Sequence, residues 1–281
     1  MDNYITMKKV VVVIPIYKVD PSKTEQASFR QCLSVLGKYD VTLLTYKELD
    51  LSVYEIIAKE FDFVLNKVYF SKDFFMSISG YNRLCLNPDF YRRFLDYQYM
   101  LIYQLDAWVF KDELELWCDK GYDYIGAPWF KKDGEEYTYD FVEDVGNGGL
   151  SLRKVAFCYK VLRRFKYAPI QPLREILRKS TSRNLRFIRA CARSLGVRNN
   201  LAYYLSDNDE KIKNEDGYFS LFKNSHVKCN IPSPAEAIGF AFEVHPSYLF
   251  GLNNKLLPFG CHAYRKNEYD SFWSRYIKDN G

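Results

Sequence analysis

The sequence has no run of ~18 apolar residues, the length needed to cross a bilayer as a helix. Its longest early apolar run, Val10 to Ile16, is only strand-sized. The first residues, MDNYITMKK, lack the long apolar segment of a secretory signal. There is no C-x-x-C pair, and the seven cysteines (Cys32, Cys85, Cys118, Cys158, Cys191, Cys229 and Cys261) are odd in number and widely spread. That spacing gives neither a zinc knuckle nor a disulfide framework, and predicts a reduced, cytoplasmic protein. Internal repeats and low-complexity segments are also missing. Histidine is scarce, with His226, His245 and His262 only.

What is present is globular. Apolar residues make up 48% and charged residues 27% of 281, enough chain for one large α/β domain or two small ones. Aromatics reach 17%, led by Tyr and Phe. Such rings suit clefts for sugars and nucleobases, although core packing is their commoner use.

Strand-like and helix-like segments alternate. KKVVVVIPIYK reads as a buried strand ended by Pro15, and VTLLTY (41–46) and FDFVLN (61–66) as two more. Ser28 to Leu36 carries Phe29, Cys32, Leu33 and Leu36 on one helical face. Ser71 and Asp73 offer caps for a helix from about Phe74 to Cys85, and another helix follows Pro88. Leu101 to Leu105 is the next strand. Asp112 is placed to cap the helix ELELWCDKG, closed by Gly121. DYIGAP reads as a strand, KKDGEEYTYD (131–140) as a loop, and VGNGGLSLR as a glycine-rich turn entering a strand. NEDGYFSLF is an acidic helix start, and the tail from Ile231 reads as irregular strands and loops. The alternation predicts an α/β fold with a mostly parallel sheet and helices on both faces.

In such a sheet, ligands bind beyond the carboxyl ends of the strands. Asp106 stands at one of these ends, in LIYQLDAWVF. A buried carboxylate there needs a partner: a helix N-terminus, a salt bridge, a metal or a sugar nucleotide. Hard oxygen ligands of this kind suit Mg²⁺ or Mn²⁺. Gly146 to Gly149 allows close approach of backbone to ligand, with Asn147 offering an amide to sugar hydroxyls, or it is an ordinary tight turn. Glu215 and Asp216 give two adjacent carboxylates. One can favour the helix start, and the other can act as a general base. His262, in PFGCHAY, is either structural or a contact for metal or diphosphate.

Taken in order, the strand-end Asp106, DYIGAPW, GNGGLSLRK, NEDGYFS and PFGCHAY are similar to a bacterial family of glycosyltransferase-like domains of unknown function. More distantly they resemble GT-A fold glycosyltransferases of the Fringe and core-1 galactosyltransferase groups. The resemblance covers roughly Val10 to Tyr264. It implies one GT-A-like domain over residues 1–281, carrying a basic helical insertion at 160–210. It matches Asp106 to the first aspartate of a D-x-D, with Trp108 where the second would stand. His262 corresponds to a late metal-binding histidine, so Mn²⁺ or Mg²⁺ would sit at Asp106 and His262. Asn147, Gly148 and Gly149 would line the donor, as would Pro15 and Tyr17 on the nucleobase side. Of Glu215 and Asp216, one would be the base of an inverting transfer. The implied partners are a nucleotide-sugar donor and a saccharide or lipid-linked acceptor, as in surface polysaccharide or glycoconjugate synthesis.

Lys160 to Arg198 contains twelve Lys or Arg and one acid, Glu175, a net +11 in a chain of net +5. Arg186, Arg189 and Arg193 share one helical face, and Leu185, Ile188, Ala192 and Leu195 another. This fits a peripheral contact with the anionic inner face of a membrane, or a solvated basic face of a packed helix. Three rival functions remain at this point. A nucleic-acid-binding protein would use the basic stretch for phosphates, but leaves Asp106, GNGG and NED without a role, so no nucleic acid is expected. A sugar nucleotidyltransferase would need a glycine-rich loop where IPIYKVDPS has none. A catalytically degenerate GT-A domain is the third, and Trp108 favours it.

Overall fold

The structure is a computed structural model that describes residues 7–164, 214–220 and 229–279, with 188, 191 and 192 as isolated positions. The expected insertion at 160–210 lies outside the described residues from 165 on, apart from those three positions.

The chain opens with strand β1 (Lys8–Pro15), whose Val11 to Ile14 are fully buried. A valine run of this kind belongs in the middle of a sheet covered on both faces. Ser22 and Glu25 form a capping box at the head of helix α1 (Lys23–Leu36), which buries Phe29, Cys32, Leu33 and Leu36 as its spacing predicts. Strand β2 (Asp40–Thr45), helix α2 (Ser52–Lys59) and strand β3 (Asn66–Tyr69) follow. Next come a 3₁₀ turn (Lys72–Phe74), helix α3 (Ile78–Cys85), helix α4 (Pro88–Arg92) and strand β4 (Tyr97–Tyr103). After β4 lie β5 (Ala107–Val109), α5 (Leu114–Asp119), β6 (Tyr124–Ile125), β7 (Pro128–Asp133), β8 (Glu136–Val145), β9 (Leu150–Lys154) and α6 (Val155–Leu162). The described remainder holds α7 (Glu215–Ser220), α8 (Pro234–Ala237), β10 (Ala241–Phe242), α9 (Pro246–Leu252) and β11 (Gly260–His262).

The main sheet runs β3-β2-β1-β4-β9-β6. β1 to β4 pair in parallel, β9 runs antiparallel between β4 and β6, and helices flank the sheet. This is the mostly parallel α/β architecture expected. A second sheet, β10-β11-β5, sits beside it, and β7 and β8 form a separate hairpin.

Several elements differ from the sequence reading. The third strand starts at Asn66, because α2 ends in turns through Asp62, which takes φ +53°. The helix expected from Phe74 begins at Ile78, where the Ser77 side chain accepts from the Gly80 N–H, so Ser71 and Asp73 do not cap it. Strand β4 ends at Tyr103, and a turn closed by Ala107 N–H to Gln104 O places Asp106 just after the strand. Asp112 caps no helix; it pairs with Lys38 at 2.6 Å and accepts from the Tyr39 hydroxyl. KKDGEEYTYD is a hairpin, turning at Gly134 with φ +61° and alternating aromatic and polar residues along β8. No described helix is long and apolar enough to cross a membrane.

Candidate active site

A cleft of about 840 Å³ opens where β1 and β4 end, and the turn into antiparallel β9 returns to the same rim. Gln104 N–H donates to Gly149 O at 2.8 Å and fixes that return. All nine residues singled out from the sequence line this cleft: Pro15, Tyr17, Asp106, Asn147, Gly148, Gly149, Glu215, Asp216 and His262.

Pairing of short strands assembles one wall. β11 runs antiparallel to β5 with His262 opposite Ala107, which sets the imidazole beside Asp106. β10 runs parallel to β11 with Phe242 opposite Cys261, so the next residue, Glu243, reaches the far side of the ring. His262 Nδ1 lies 3.0 Å from Glu243 Oε1 in a hydrogen bond. Its Nε2 lies 3.1 Å from Asp106 Oδ1 but off the hydrogen-bond line, leaving a buried ring nitrogen without a hydrogen-bond partner. Burial opposes charge on this ring, yet the two carboxylates outweigh it and push the imidazole pKa up to about 10. The Asp106 carboxyl is held below its ordinary range; burial works against this, but His262 and then Lys266 prevail.

The glycines of GNGG are required for room. A Cβ at Gly149 would stand 1.9 Å from His262 Nε2, and one at Gly148 2.7 Å from Glu215 Oε1. Asn147 Oδ1 accepts from Gly149 N–H at 2.8 Å, while its buried Nδ2 has no hydrogen-bond partner. Buried amide donors are normally satisfied, so this one is available to a ligand.

The two adjacent acids divide sharply. Glu215 is 3% exposed and pairs at 2.7 Å with Arg153, which is fully buried. Arg153 also donates to the Tyr91 and Ser151 hydroxyls, and its guanidinium lies near the rings of Tyr124 and Phe219. Glu215 therefore belongs to a buried ion pair in the wall of the cleft. Asp216 accepts the Gly217 N–H at 2.7 Å. Burial first, and then the charge of Glu215, lift its pKa to about 7, where a carboxylate can trade protons near neutrality.

Trp108 cannot stand in for a second D-x-D carboxylate. It is buried in a second core, edge-on to Tyr264 at 6.0 Å between centroids. Among the described residues, no group of three or more His, Cys, Asp or Glu is placed to hold a metal. Glu243 and Arg153 were missed in the sequence. The signals were there: Glu243 ends the apolar run GFAF much as Asp106 ends LIYQL, and Arg153 interrupts a buried strand, where a charge demands a partner.

Two solved structures are similar along most of the chain at low identity. The apo form of the glycosyltransferase GlyE of Streptococcus pneumoniae TIGR4 is 13% identical with TM-score 0.47, over 97% of this chain and 61% of that one. Mouse xyloside xylosyltransferase 1 is 11% identical with TM-score 0.44, over 91% of this chain and 97% of that one. The chain thus spans about three fifths of the length of GlyE. A search of curated proteins gives no match. One family model matches residues 65–262, the greater part of the chain and most of the cleft's walls, and the chain belongs to that family, DUF5672, described as a protein of unknown function.

Proposed function

We infer that the protein transfers a sugar from a nucleotide-sugar donor to a saccharide hydroxyl. The observation that carries this reading is the pairing, in one cleft at the strand ends, of a carboxyl group with a pKa near 7 and an imidazole held between two carboxylates. Asp216 is the base. It takes the proton of the acceptor hydroxyl as that oxygen attacks the anomeric carbon and the bond to the diphosphate breaks, with inversion. Glu215 is then a structural partner of Arg153 and carries no proton for the reaction.

Pro15 and Tyr17 form the nucleobase end of the cleft, Asn147 Nδ2 supplies a donor to the sugar or diphosphate, and Gly148 and Gly149 keep the approach open. Asp106 and His262 would hold a divalent cation such as Mn²⁺ or Mg²⁺ once the imidazole gives up its Nε2 proton, since Nε2 and Asp106 Oδ1 stand 3.1 Å apart while Glu243 orients the ring. Such an ion would neutralise charge on the leaving diphosphate. Lys18 and Glu25, ion-paired at 2.7 Å, both stand in the same cleft.

Thermal-shift measurements with UDP-, GDP-, CMP- and dTDP-sugars, each with Mn²⁺ and with EDTA, test this. A donor at 100 times its Kd adds about 2.7 kcal/mol, a rise of roughly 5 °C for a protein this size. One donor class is expected to shift melting, with the shift lost in EDTA. No shift with any donor overturns the reading. The burial of Trp108 supports a second reading, a sugar-binding domain without turnover. Donor binding with no transfer to any acceptor would establish it.

A further inference from the structure

The β7–β8 hairpin carries a group of aromatic rings in which Phe130 is buried in the second core and Phe141 packs against it, while Tyr139 stays outside. Phe130, Phe141 and Tyr139 share one face with the neighbouring His245 and Tyr248. Tyr139 is 60% exposed, although one side of its ring is backed by His245 at 4.5 Å and 30° and its edge meets Tyr248 at 4.9 Å. His245 and Tyr248 brace this ring, and more than half of the residue faces solvent. His245 holds this position in a left-handed conformation, φ +52°, unusual for a non-glycine residue, with Nε2 3.2 Å from Tyr137 O.

The platform adjoins the cleft along the chain. His245 follows Glu243, the cleft residue that holds His262, by two residues, a step of at most about 7 Å. β8 itself runs into Gly146 and Asn147, and a Cβ on Gly146 would meet the Trp129 indole at 2.2 Å, so a further ring closes the seam.

Charge narrows the occupant. Asp133, Glu135, Glu136, Asp140, Glu143 and Asp144 give the hairpin 128–145 six acids against Lys131 and Lys132, a net −4. An anionic polymer or lipid headgroup would be repelled. An uncharged sugar would be accepted, with its apolar C–H face on the rings and its hydroxyls toward carboxylates and phenols.

Resting on the transferase reading above, we propose that the exposed ring of Tyr139, with Tyr248 and His245, is the docking platform for an uncharged oligosaccharide acceptor whose end reaches the cleft. The platform presents the acceptor and takes no part in bond making.

The test measures retention of the full chain on immobilised tetrasaccharides of β-1,4-linked glucose, galactose and N-acetylglucosamine, and on acidic counterparts, without donor. Donor thermal shifts are measured in parallel. Retention of one neutral class is expected, reduced tenfold or more by Tyr139→Ala and by Tyr248→Ala, and kept by Tyr139→Phe, with the donor shift unchanged in all three. Equal retention by the alanine variants, retention of acidic glycans only, or no retention of any sugar beside a normal donor shift overturns the platform alone. An alanine variant that changes the size of the particle on gel filtration assigns the face to a second copy of the chain and also overturns it. Absence of a donor shift in the unmodified protein overturns the transferase reading instead.

Discussion

Two charged regions lie within one cleft and behave as opposites. In its wall, Arg153 and Glu215 are buried and paired, with the Ser151 and Tyr91 hydroxyls taking two further guanidinium protons. At its rim, Asp106, His262, Glu243 and Asp216 are left unbalanced, with a ring nitrogen off-line and a carboxyl pushed toward neutrality. A closed ion pair can position an element but has nothing to offer a ligand. Groups left incompletely matched can be completed by one. The contrast explains why two consecutive acids, Glu215 and Asp216, take different roles: they leave the start of α7 in different directions, one into the β9 layer and one into the cleft.

The sharpest way to break this comparison is at its junction. Asp216→Asn is expected to lower the turnover number by about 10²–10⁴, the range for loss of a general base, with donor thermal shift retained. Turnover within tenfold of the unmodified protein would mean that the assignment of the two acids is wrong.

Arg153→Met should destabilise by about 3–5 kcal/mol, since it strands the buried Glu215 charge. Arg153→Met combined with Glu215→Leu should recover most of that in urea unfolding, because both charges are then gone. If the single and double variants unfold alike, the pair is not the closed unit described.

Gly149→Ala is smaller in effect, about 1–3 kcal/mol of overpacking, felt where the new methyl meets His262. The donor shift should weaken, and Gly149→Ala with His262→Ala should lose less than the two changes added together. Strict additivity would place the two residues apart.

The last effect is in pH. The folded protein favours protonated Asp216, with a pKa near 7 against about 3.9 in the unfolded chain. The stability this contributes is complete below pH 3.9 and is lost as pH rises through 7. Asp216→Asn should flatten that decline and melt above the unmodified protein at pH 8, by roughly 2–4 °C for each kcal/mol released. Transfer, which needs the ionised base, should rise through the same window. A rate that falls from pH 6 to 8 would contradict the assignment.

Much of the fold was legible because burial writes itself into spacing. The valine run of β1 and the apolar face of α1 stand where their periodicity puts them. The hairpin was not legible, since acidic residues between its aromatics read as a loop until Gly134 and the cross-strand partners are seen together. The nine candidate residues were legible as strand ends and helix starts, and they do meet in one cleft.

Their division of labour was not legible. By itself the sequence determined which segments are apolar enough to become strands, where carboxylates and glycines interrupt them, and hence which end of the sheet carries the polar groups. Only the tertiary structure decided that Glu215 is matched by Arg153, that Glu243 completes the setting of His262, and that Trp108 turns into a second core. The reason is physical. Local propensity and periodicity act over a few residues, whereas the pairing of a charge depends on which elements, here strand β9 and helix α7 with Arg153 and Glu215 62 residues apart, are laid side by side.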